Sequence, residues 1–353
     1  MPILGIETSC DETACGIVDQ DGQILANVVA SQIETHAPYG GIIPELASRA
    51  HIINIHKVVK QAIINSKLKL SDIEAIAVTN GPGLAGSLLV GLNFAKGFSS
   101  SLNIPLIGVN HLEGHVSACF IDEDKFDFSK NDIFPCISLI ISGGHTELVL
   151  MKEYDSFTML GQTRDDAVGE AFDKVSRILG LGYPGGPIIE NWAKKSVGKN
   201  YTLPRSWLKD NSEFSFSGLK TATKNLAQQK IYDRDLSDDQ IALEISEISN
   251  AFQESVLDVL MTKSVQVAKE FQCETILVSG GVAANGYLRN NFENNNDINA
   301  IFPERKYCTD NGIMIACRGL IDFRNKLFVS PESIKVNPQL NICLLYTSDA
   351  ADE

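Results

Sequence analysis

Two histidines spaced four residues apart, His111 and His115, are the side chains with the clearest potential for chemistry. On an α-helix this spacing places both imidazole rings on one face, where they can share a metal ion. Asp310 stands at a predicted strand end, before an apolar helical stretch, and is a candidate third ligand from across a cleft. Two histidines and one carboxylate with open coordination positions suit Fe(II) or Zn(II). The sequence therefore predicts a site for one divalent metal ion.

The histidine spacing is also that of the zinc-protease motif HExxH, in which the glutamate directly after the first histidine is the general base. In this chain that place holds Leu112. Glu113 lies roughly 200° around a helix from His111, so we expect it to point away from the metal. The chain thus lacks the general base that a metalloprotease of this type requires. Gly114 has a cost inside a helix, but it permits close packing beside the site.

Glycine turns after predicted strands are the second candidate for chemistry. Ser-Gly-Gly follows a strand at residues 142–144 and again at 279–281, and backbone N–H groups in such turns can approach a phosphate or an adenine ring. An acidic turn containing Asp11 and Glu12 follows the first strand. If the three turns face one another, they line a nucleotide cleft in which the two carboxylates serve a metal ion or proton transfer. The alternative for the acidic turn is a solvated hairpin.

A third set of candidates lies between residues 169 and 190. Carboxylates such as Asp173 and Glu190 can accept hydrogen bonds from both hydroxyls of a ribose, and Pro-Gly-Gly-Pro at 184–187 fixes a loop whose backbone can meet a ligand. For Asp173 the alternative is an exposed helix residue paired with Lys174 or Arg177. Without further context, that alternative is favoured.

A repeated strand–turn–strand pattern must position these residues. Residues 3–18 and 137–151 share this design, which indicates two related lobes in an α/β fold. The charged segment 122–132 is the predicted boundary. One lobe is expected over 1–121, completed by 304–342, and the other over 133–303. Helices are predicted over residues 44–64, from the glycine turn at 80–83 to Gly97, and over 238–271 behind a Ser237 capping box.

Composition limits the possible partners. Of the 353 residues, 44% are hydrophobic and 21% are charged, which predicts a folded core. The eight cysteines include no CxxC pair, so neither a disulfide framework nor a cysteine zinc site is expected. We find no transmembrane-length apolar run and no signal peptide, and we expect a cytoplasmic protein without a membrane partner. A net charge of −14 argues against autonomous nucleic-acid binding, and Lys220 and Lys224 are either local phosphate contacts or solvated lysines.

The C-terminal stretch 343–353 does not continue the periodicity of the preceding chain. It matches a translation of a transposase-type sequencing-library adapter, so we interpret it as an assembly artefact. A disordered acidic tail is the alternative, and neither interpretation gives this stretch a function.

Taken together, the motifs resemble the TsaD-type tRNA N6-adenosine threonylcarbamoyltransferases, once labelled O-sialoglycoprotein endopeptidases. The matches extend to about residue 322 and are very specific in combination. In order they are GIETSCDET at 5–13, YGGIIPELASRAH at 39–51, TNGPGLAGSLLVG at 79–91, NHLEGH at 110–115, SGGHTEL at 142–148, GEAFDK at 169–174, GYPGGP at 182–187, FSFSGLK at 214–220, SGGVAANGYLR at 279–289 and CTDNG at 308–312.

The resemblance implies the two-lobed fold shared by actin, the heat-shock ATPases and sugar kinases, with two RNase H-like lobes. It implies that His111, His115 and Asp310 hold one divalent metal ion per subunit, Fe(II) ahead of Zn(II). It places Asp11 and Glu12 in the acidic turn of the active cleft. The positions that match those holding threonylcarbamoyl-adenylate or its nucleotide part are Ile140, Ile141, Ser142, Gly143, Gly144, Asp173, Gly186, Glu190 and Asn285.

The implied activity is transfer of a threonylcarbamoyl group from threonylcarbamoyl-AMP to N6 of adenosine 37, in the anticodon loop of tRNAs reading codons that start with A. The metal would polarise the carbamoyl carbonyl, glycine-turn N–H groups would stabilise the departing phosphate, and Asp11 or Glu12 would act as the base. A paralogous TsaB-type subunit and a TsaE-type ATPase are the implied partners. The competing classes are an ATPase or small-molecule kinase of this fold, a metalloprotease, and a non-catalytic paralogue, which would be expected to lack the metal trio.

Overall fold

A first mixed sheet is formed by the N-terminal part of the chain. The computed structural model describes residues 2–130, 132–198, 201–207 and 211–342, and the predicted artefact at 343–353 lies outside these ranges. Apolar and β-branched residues fill the strands, and the strand at Ala75–Gly81 is buried at every position. The elements of this part are β1 (Ile3–Glu7), β2 (Glu12–Val18), β3 (Ile24–Ser31), α1 (Ile33–His36), α2 (Pro44–Ser66), β4 (Ala75–Gly81), α3 (Ala85–Leu102), β5 (Leu106–Asn110) and α4 (His111–Ser117).

A short hairpin, β6 (Ile121–Asp122) with β7 (Lys125–Phe126), occupies the charged segment predicted to separate the lobes. Phe126 is buried, and the backbone N–H of Ile24 donates to the carbonyl oxygen of Asp124 at 2.9 Å. The hairpin therefore packs on the first sheet.

A second mixed sheet and its helices follow. The apolar side chains of this part form one large buried cluster around Phe172, Phe252 and Val278. The elements are β8 (Cys136–Ile141), β9 (Thr146–Glu153), β10 (Ser156–Gln162), α5 (Val168–Ile178), α6 (Gly185–Ala193), α7 (Ser217–Ala227), α8 (Asp238–Glu270), β11 (Thr275–Ser279), α9 (Gly286–Glu293), β12 (Asn299–Ile301) and α10 (Gly312–Arg324).

The two sheets have the same topology. Strand order is β3-β2-β1-β4-β5 in the first and β10-β9-β8-β11-β12 in the second. In each, the first three strands are antiparallel neighbours and the last two are added in parallel. The repeat confirms the two-lobed α/β fold predicted from the strand–turn–strand pattern. It also gives the turn after β1 and the turn after β8 equivalent positions in their lobes.

Helix α8 is the longest element, and its bounds agree with the sequence prediction. Ser237 and Gln240 form the predicted capping box, in which each side chain bonds the backbone N–H of the other residue. The apolar face of α8 packs in the core of the second lobe through residues such as Phe252. No helix in the described ranges is long and apolar enough to cross a lipid bilayer.

Helix α3 continues beyond its predicted end at Gly97. It ends at Leu102, where Asn103 adopts a left-handed conformation with φ 53° and its N–H bonds the carbonyl oxygen of Ser99. Asparagine tolerates this conformation better than most residues, which makes it an effective helix terminator. Gly97 lies inside the helix, and a Cβ added to it would meet nothing within 4 Å. The helix therefore ends at its cap and not at the first glycine.

Helix α10 returns the C-terminal part of the chain to the first sheet. Gly312 at its start lies so close to Gly16 of β2 that a Cβ on either residue would overlap the backbone of the other. The same helix packs against α4, where a Cβ on Gly114 would lie 2.8 Å from Cδ1 of Ile315. The close packing predicted at Gly114 is confirmed. It brings Asp310, which immediately precedes α10, to the histidine helix.

Candidate metal centre and active cleft

The histidine pair lies on the short helix α4, which follows β5 directly. Asn110 caps this helix by accepting a hydrogen bond from the backbone N–H of Leu112 at 2.9 Å. The rings of His111 and His115 have centroids 4.6 Å apart and planes inclined by 78°. Both residues are buried, so the predicted shared face points into the protein.

Asp310 joins the two histidines. Its Oδ1 lies 3.1 Å from Nε2 of His115 and 3.6 Å from Nε2 of His111. One ligand atom from each of the three residues falls within 4.8 Å of the other two. The structure therefore brings together the three residues that the sequence pattern paired, in a group that can hold a single ion.

His115 provides the test of whether these residues fit a metal ion. His115 is 1% exposed, its Nδ1 has no hydrogen-bond partner within the described part of the chain, and its Nε2 faces Oδ1 of Asp310 at 3.1 Å. Burying an imidazole and a carboxylate away from water is unfavourable unless their polar atoms are satisfied. A divalent ion between Nε2 and the Asp310 carboxylate would satisfy both groups. The set of two imidazoles and one carboxylate thus fits a divalent ion on chemistry and on burial.

Glu7, which the sequence analysis did not select, orients the first histidine. Its Oε2 lies 3.1 Å from Nδ1 of His111 and accepts a hydrogen bond from Oγ1 of Thr79 at 2.5 Å. Ser9 Oγ also lies 3.1 Å from Nδ1 of His111. A carboxylate at Nδ1 holds the proton there and leaves Nε2 free as a ligand. The signal for Glu7 was present, because it is the acidic residue at the end of β1 in the GIETSCDET motif.

The charges at this centre shift its titration. Burial lowers the pKa of His111, but the carboxylates of Asp310 and Glu7 outweigh it and raise the pKa to about 9. Burial raises the pKa of Asp310, but the neighbouring imidazolium groups outweigh it and hold the pKa below its usual value. A metal ion entering the site must therefore displace a proton from His111.

His145 is a second residue that the sequence analysis missed as part of the site. It closes the 142–144 glycine turn, where its backbone N–H donates to Oγ of Ser142 at 3.1 Å. Burial, followed by the positive charges of His111 and His115, lowers the pKa of its imidazole to about 4. Because α4 also contacts β8 and β11, the strands that end in the glycine turns, the turns and the histidine pair lie at one cleft. A histidine directly after a glycine turn was the available signal.

The acidic turn after β1 faces the same space. Asp11 is only 7% exposed, which does not match the solvated-hairpin alternative. Glu12 accepts a hydrogen bond from Oγ of Ser31 at 3.2 Å, and burial together with the charge of Asp11 raises the pKa of its carboxyl to about 10. Burial, then the charges of Asp11 and Asp173, also raise the pKa of Tyr183. Residues from both lobes thus surround the acidic turn.

The two glycine turns are neighbours because β8 and β11 are adjacent parallel strands. Gly280, with φ 90°, lies against the carbonyl oxygen of Ile141. Cβ atoms on Gly143, Gly144 or Gly281 would meet nothing within 4 Å, so the turns open into free space. Of the predicted nucleotide positions in this part, Ile140 and Ile141 have buried side chains and offer only backbone groups, whereas Ser142 bonds within the turn.

Asp173 forms an ion pair with neither Lys174 nor Arg177. Its Oδ1 accepts a hydrogen bond from the backbone N–H of Gly185 at 2.7 Å, and burial raises the pKa of the carboxyl to about 6. Lys174 instead pairs with Asp166 at 2.5 Å. The alternative of an exposed, lysine-paired Asp173 is therefore wrong, because α6 begins directly against this carboxylate. A Cβ on Gly186, next in α6, would meet nothing within 4 Å.

The other two predicted nucleotide residues lie where α6 meets α9. Glu190 accepts a hydrogen bond from the backbone N–H of Gly286 at 3.2 Å and pairs with Lys194 at 2.7 Å. Asn285 caps α9 through Leu288 at 3.0 Å, and its amide nitrogen donates to Gln253 at 2.9 Å. Both side chains are thus engaged within the protein. Both contacts of Glu190 are made by Oε1, so Oε2 can still accept a hydrogen bond from a ligand.

Lys220, one of the two candidate phosphate contacts, is held in an ion pair. Its Nζ lies 2.5 Å from Oδ2 of Asp166, the aspartate that also binds Lys174. The solvated-lysine alternative is therefore wrong for Lys220, because the Asp166 carboxylate bridges α5 and α7, and the phosphate contact stays a prediction. Lys224 is exposed.

These features define a class: a two-lobed α/β protein with glycine turns and a His–His–carboxylate centre in one cleft. The family of tRNA N6-adenosine threonylcarbamoyltransferases, TsaD, matches residues 23–317. A protein of that name from Bacillus subtilis (strain 168) is 48% identical over 328 residues, covering 92% of this chain and 91% of that protein. Another of that name from Clostridioides difficile (strain 630) is 46% identical over 326 residues, covering 91% and 93%. The chain belongs to the TsaD family, and it is a transferase that modifies tRNA.

Two solved structures support the fold alone. Full-length HypF in the phosphate- and nucleotide-bound form aligns with a TM-score of 0.56 at 13% identity, over 92% of this chain and 55% of that chain. Component A of Acidaminococcus fermentans (R)-2-hydroxyglutaryl-CoA dehydratase aligns with a TM-score of 0.52 at 14% identity, over 90% and 96%. The fold is thus the actin and heat-shock ATPase type. Membership of the TsaD family rules against the metalloprotease and small-molecule-kinase hypotheses.

Proposed function

We propose that the chain transfers the threonylcarbamoyl group of threonylcarbamoyl-AMP to N6 of adenosine 37, in tRNAs reading codons that start with A, and releases AMP. One observation carries this proposal: the histidine helix α4 contacts β8 and β11, the strands that end in the two glycine turns. A nucleotide held at these turns therefore places its acyl phosphate next to the candidate metal centre. Family membership supplies the type of acceptor and the type of group transferred.

His111, His115 and Asp310 would hold one Fe(II) or Zn(II) ion, since both metals accept imidazole and carboxylate ligands. When bound, the ion supplies a Lewis acid for oxygens of the substrate. Glu7 keeps the proton of His111 on Nδ1, so that Nε2 is directed toward the cleft.

The glycine turns are proposed to bind the nucleotide part of the substrate. Backbone N–H groups at 142–144 would stabilise charge on the departing phosphate, because they are fixed before the reaction begins. Asp173 and Glu190 would accept hydrogen bonds from the ribose, with Gly186 giving the ligand room and Asn285 at the start of α9. Because the pKa of Asp173 is raised to about 6, its carboxyl is ionised, and so accepts from both hydroxyls without donating, above about that pH.

In the transfer step, a bond forms between N6 of adenosine and the carbamoyl carbon, and the bond from that carbon to the phosphate oxygen breaks. AMP leaves with the electron pair, and the amine proton passes to a base. We assign the base to the acidic turn, with Asp11 ahead of Glu12 because the pKa of about 10 keeps the Glu12 carboxyl protonated at neutral pH. Asp11→Asn is expected to lower kcat by about 10²–10⁴-fold. A normal rate in the Asp11→Asn, Glu12→Gln double variant would remove this assignment.

The proposed partners are tRNA, a paralogous TsaB-type subunit and a TsaE-type ATPase, in the cytoplasm. The net charge of −14 supports a need for help in binding RNA. Ile52 and Ile53 on α2 and Leu89 on α3 are exposed apolar side chains on two helices that pack together, and they are candidates for contact with a protein partner.

The test is transfer of labelled threonine, supplied as threonylcarbamoyl-AMP, to a tRNA reading a codon that starts with A. Wild-type chain and His111→Ala are compared, each with and without the partner proteins. Label on the tRNA that requires His111 supports the proposal. Absence of label with all partners present would contradict it.

A further inference from the structure

Helix α4 carries a buried ion pair on the face opposite its histidines. Oε2 of Glu113 lies 3.0 Å from Nε of Arg318, which belongs to α10. Glu113 is midway between His111 and His115 in the chain, so its side chain points roughly 200° away from both rings. The arginine side chain is only 6% exposed. This pair is outside the cleft and has no place in the proposed chemistry.

The guanidinium group of Arg318 joins three parts of the molecule. Besides Glu113, its Nη2 pairs with Oδ1 of Asp322 at 2.7 Å within α10. Its Nη1 donates to the carbonyl oxygen of Tyr154 at 2.9 Å, between β9 and β10 of the second lobe. A planar group with several fixed donors holds orientation as well as distance. Arg318 therefore fixes α4 relative to α10 and to the second lobe.

The two helices joined by this pair also carry the metal ligands. The histidines lie on α4, and Asp310 immediately precedes α10. Gly114 lets the helices approach closely, and the buried side chains of Leu112 and Val116 anchor α4 in the core. Glu7 orients the histidine side of α4 through His111, and the Glu113–Arg318 pair is the polar contact that restrains rotation of α4 on the opposite side.

The size of the effect follows from helix geometry. Ligand atoms lie about 5–6 Å from the helix axis, so a rotation of about 10° moves them by about 1 Å. Metal–ligand distances tolerate only about 0.2 Å. A modest rotation of α4 is thus enough to spoil the arrangement of the two histidines with Asp310.

We propose that Glu113 is a positioning residue, which holds the histidine helix in the orientation that metal binding requires through its ion pair with Arg318. The proposal rests on the proposed metal site at His111, His115 and Asp310. Removing the Glu113 carboxylate leaves Arg318 paired with Asp322, so the buried cation keeps a partner.

The test measures Co²⁺ affinity of the purified full-length chain by competition with a chelating dye. Glu113→Ala is expected to weaken binding by about 10- to 100-fold, the usual effect of losing a group that orients a ligand. Glu113→Gln retains an oxygen acceptor for Arg318 and should lose less. Asp322→Asn is the matched control, because it removes the other carboxylate of the same arginine without touching α4. Its Co²⁺ affinity should stay within about threefold of wild type.

The thermal midpoint of each metal-free variant separates positioning from general destabilisation. The proposal predicts similar midpoints for Glu113→Ala and Asp322→Asn, with a metal defect only in the former. Unchanged affinity in the Glu113 variants would overturn it, as would an equal defect in Asp322→Asn. Loss of Co²⁺ binding in His115→Ala tests the metal site independently, so failure of the site and failure of the positioning role are distinguishable.

Discussion

At the metal centre, a proton and a metal ion compete for the same imidazole. Glu7 and Asp310 flank His111 with negative charge, and this charge raises the pKa of the ring to about 9 despite burial. The same charge attracts a divalent cation. In the metal-free form His111 is therefore protonated at neutral pH, and binding of metal releases that proton.

Metal affinity should accordingly depend on pH. Below about pH 9 we expect the apparent affinity for Zn²⁺ to fall by roughly tenfold per pH unit, since one proton must leave His111 for each ion bound. Calorimetric titration in buffers of different ionisation enthalpy measures both the affinity and the proton release. Glu7→Gln removes one of the charges that raise the pKa, so its decline should begin at lower pH. Affinity that is constant between pH 6 and pH 8 would contradict this account.

Glu12 carries a cost in stability that its place in the cleft explains. Its folded pKa of about 10 lies above the ordinary 4.5, so the folded state retains a proton that the unfolded chain has released at neutral pH. Below about pH 4.5 the carboxyl is protonated in both the folded and the unfolded chain, so Glu12 does not lower the stability. As the pH rises from 4.5 toward the folded pKa, the free energy of unfolding falls.

Glu12→Gln should remove this dependence in the metal-free protein. We expect the free energy of unfolding to rise by about 1–3 kcal/mol at pH 7 and to change little at pH 4. Urea denaturation at both pH values measures the difference. The exposed Glu34→Gln is the control and should stay within about 0.5 kcal/mol of wild type at each pH. A loss of stability at pH 7 in Glu12→Gln would count against the burial of a protonated carboxyl.

At the scale of elements, the contact between α10 and β2 is a backbone-to-backbone approach. Gly16 and Gly312 leave no space for a Cβ on either side, and neither backbone can move without shifting a whole element. This approach sets the position of Asp310, because α10 begins directly after it. Small residues here are therefore a requirement of the metal centre as well as of the fold.

Gly16→Ala should lower the free energy of unfolding by about 2–4 kcal/mol, since overpacking against fixed backbone is not relieved by side-chain rotation. Gly97→Ala, inside α3 with open space around it, should raise it by about 0.5–1 kcal/mol through the lower entropy of the unfolded chain. Urea denaturation of the two variants beside wild type measures the contrast. Equal effects of the two substitutions would show that the close approach is absent.

Periodicity predicts elements well and their contacts poorly. The capping box at Ser237 and the four-residue spacing of His111 and His115 are local signals, so the sequence alone located α8 and the histidine face. The end of α3 was missed because a glycine within a helix resembles a stop signal, whereas Asn103 supplies the actual cap. The roles of Glu7 and Glu113 depend on partners far away in the chain, His111 and Arg318, which no local pattern reveals.

On the scale of the whole molecule, the repeated strand–turn–strand pattern was sufficient to predict two lobes. It also predicted that the acidic turn faces the second lobe, and the charge of Asp11 in that turn acts on Tyr183 there. The ion pair that occupies Lys220 was beyond prediction, because it depends on how α5 and α7 pack around Asp166. Side-chain pairing is decided by packing, whereas lobe topology is decided by the order of strands.

The acidic charge of the molecule has a consequence for RNA binding. With a net charge of −14, the chain alone should bind tRNA weakly, with a dissociation constant in the range of 10⁻⁴–10⁻⁶ M at physiological salt. Partner proteins that supply basic surface should tighten binding and steepen its dependence on salt. Fluorescence anisotropy with labelled tRNA between 50 and about 200 mM salt measures both. Tight binding by the chain alone would contradict the charge argument.

The most direct test of the account is the dependence of transfer on metal at the His–His–Asp centre. Metal-stripped chain, assembled with its partners and supplied with threonylcarbamoyl-AMP and tRNA, is titrated anaerobically with Fe²⁺ and in parallel with Zn²⁺. We predict that transfer rises with added metal up to about one equivalent per chain and that His115→Ala shows no such rise. Full transfer by the metal-stripped chain in the presence of chelator would contradict the central claim.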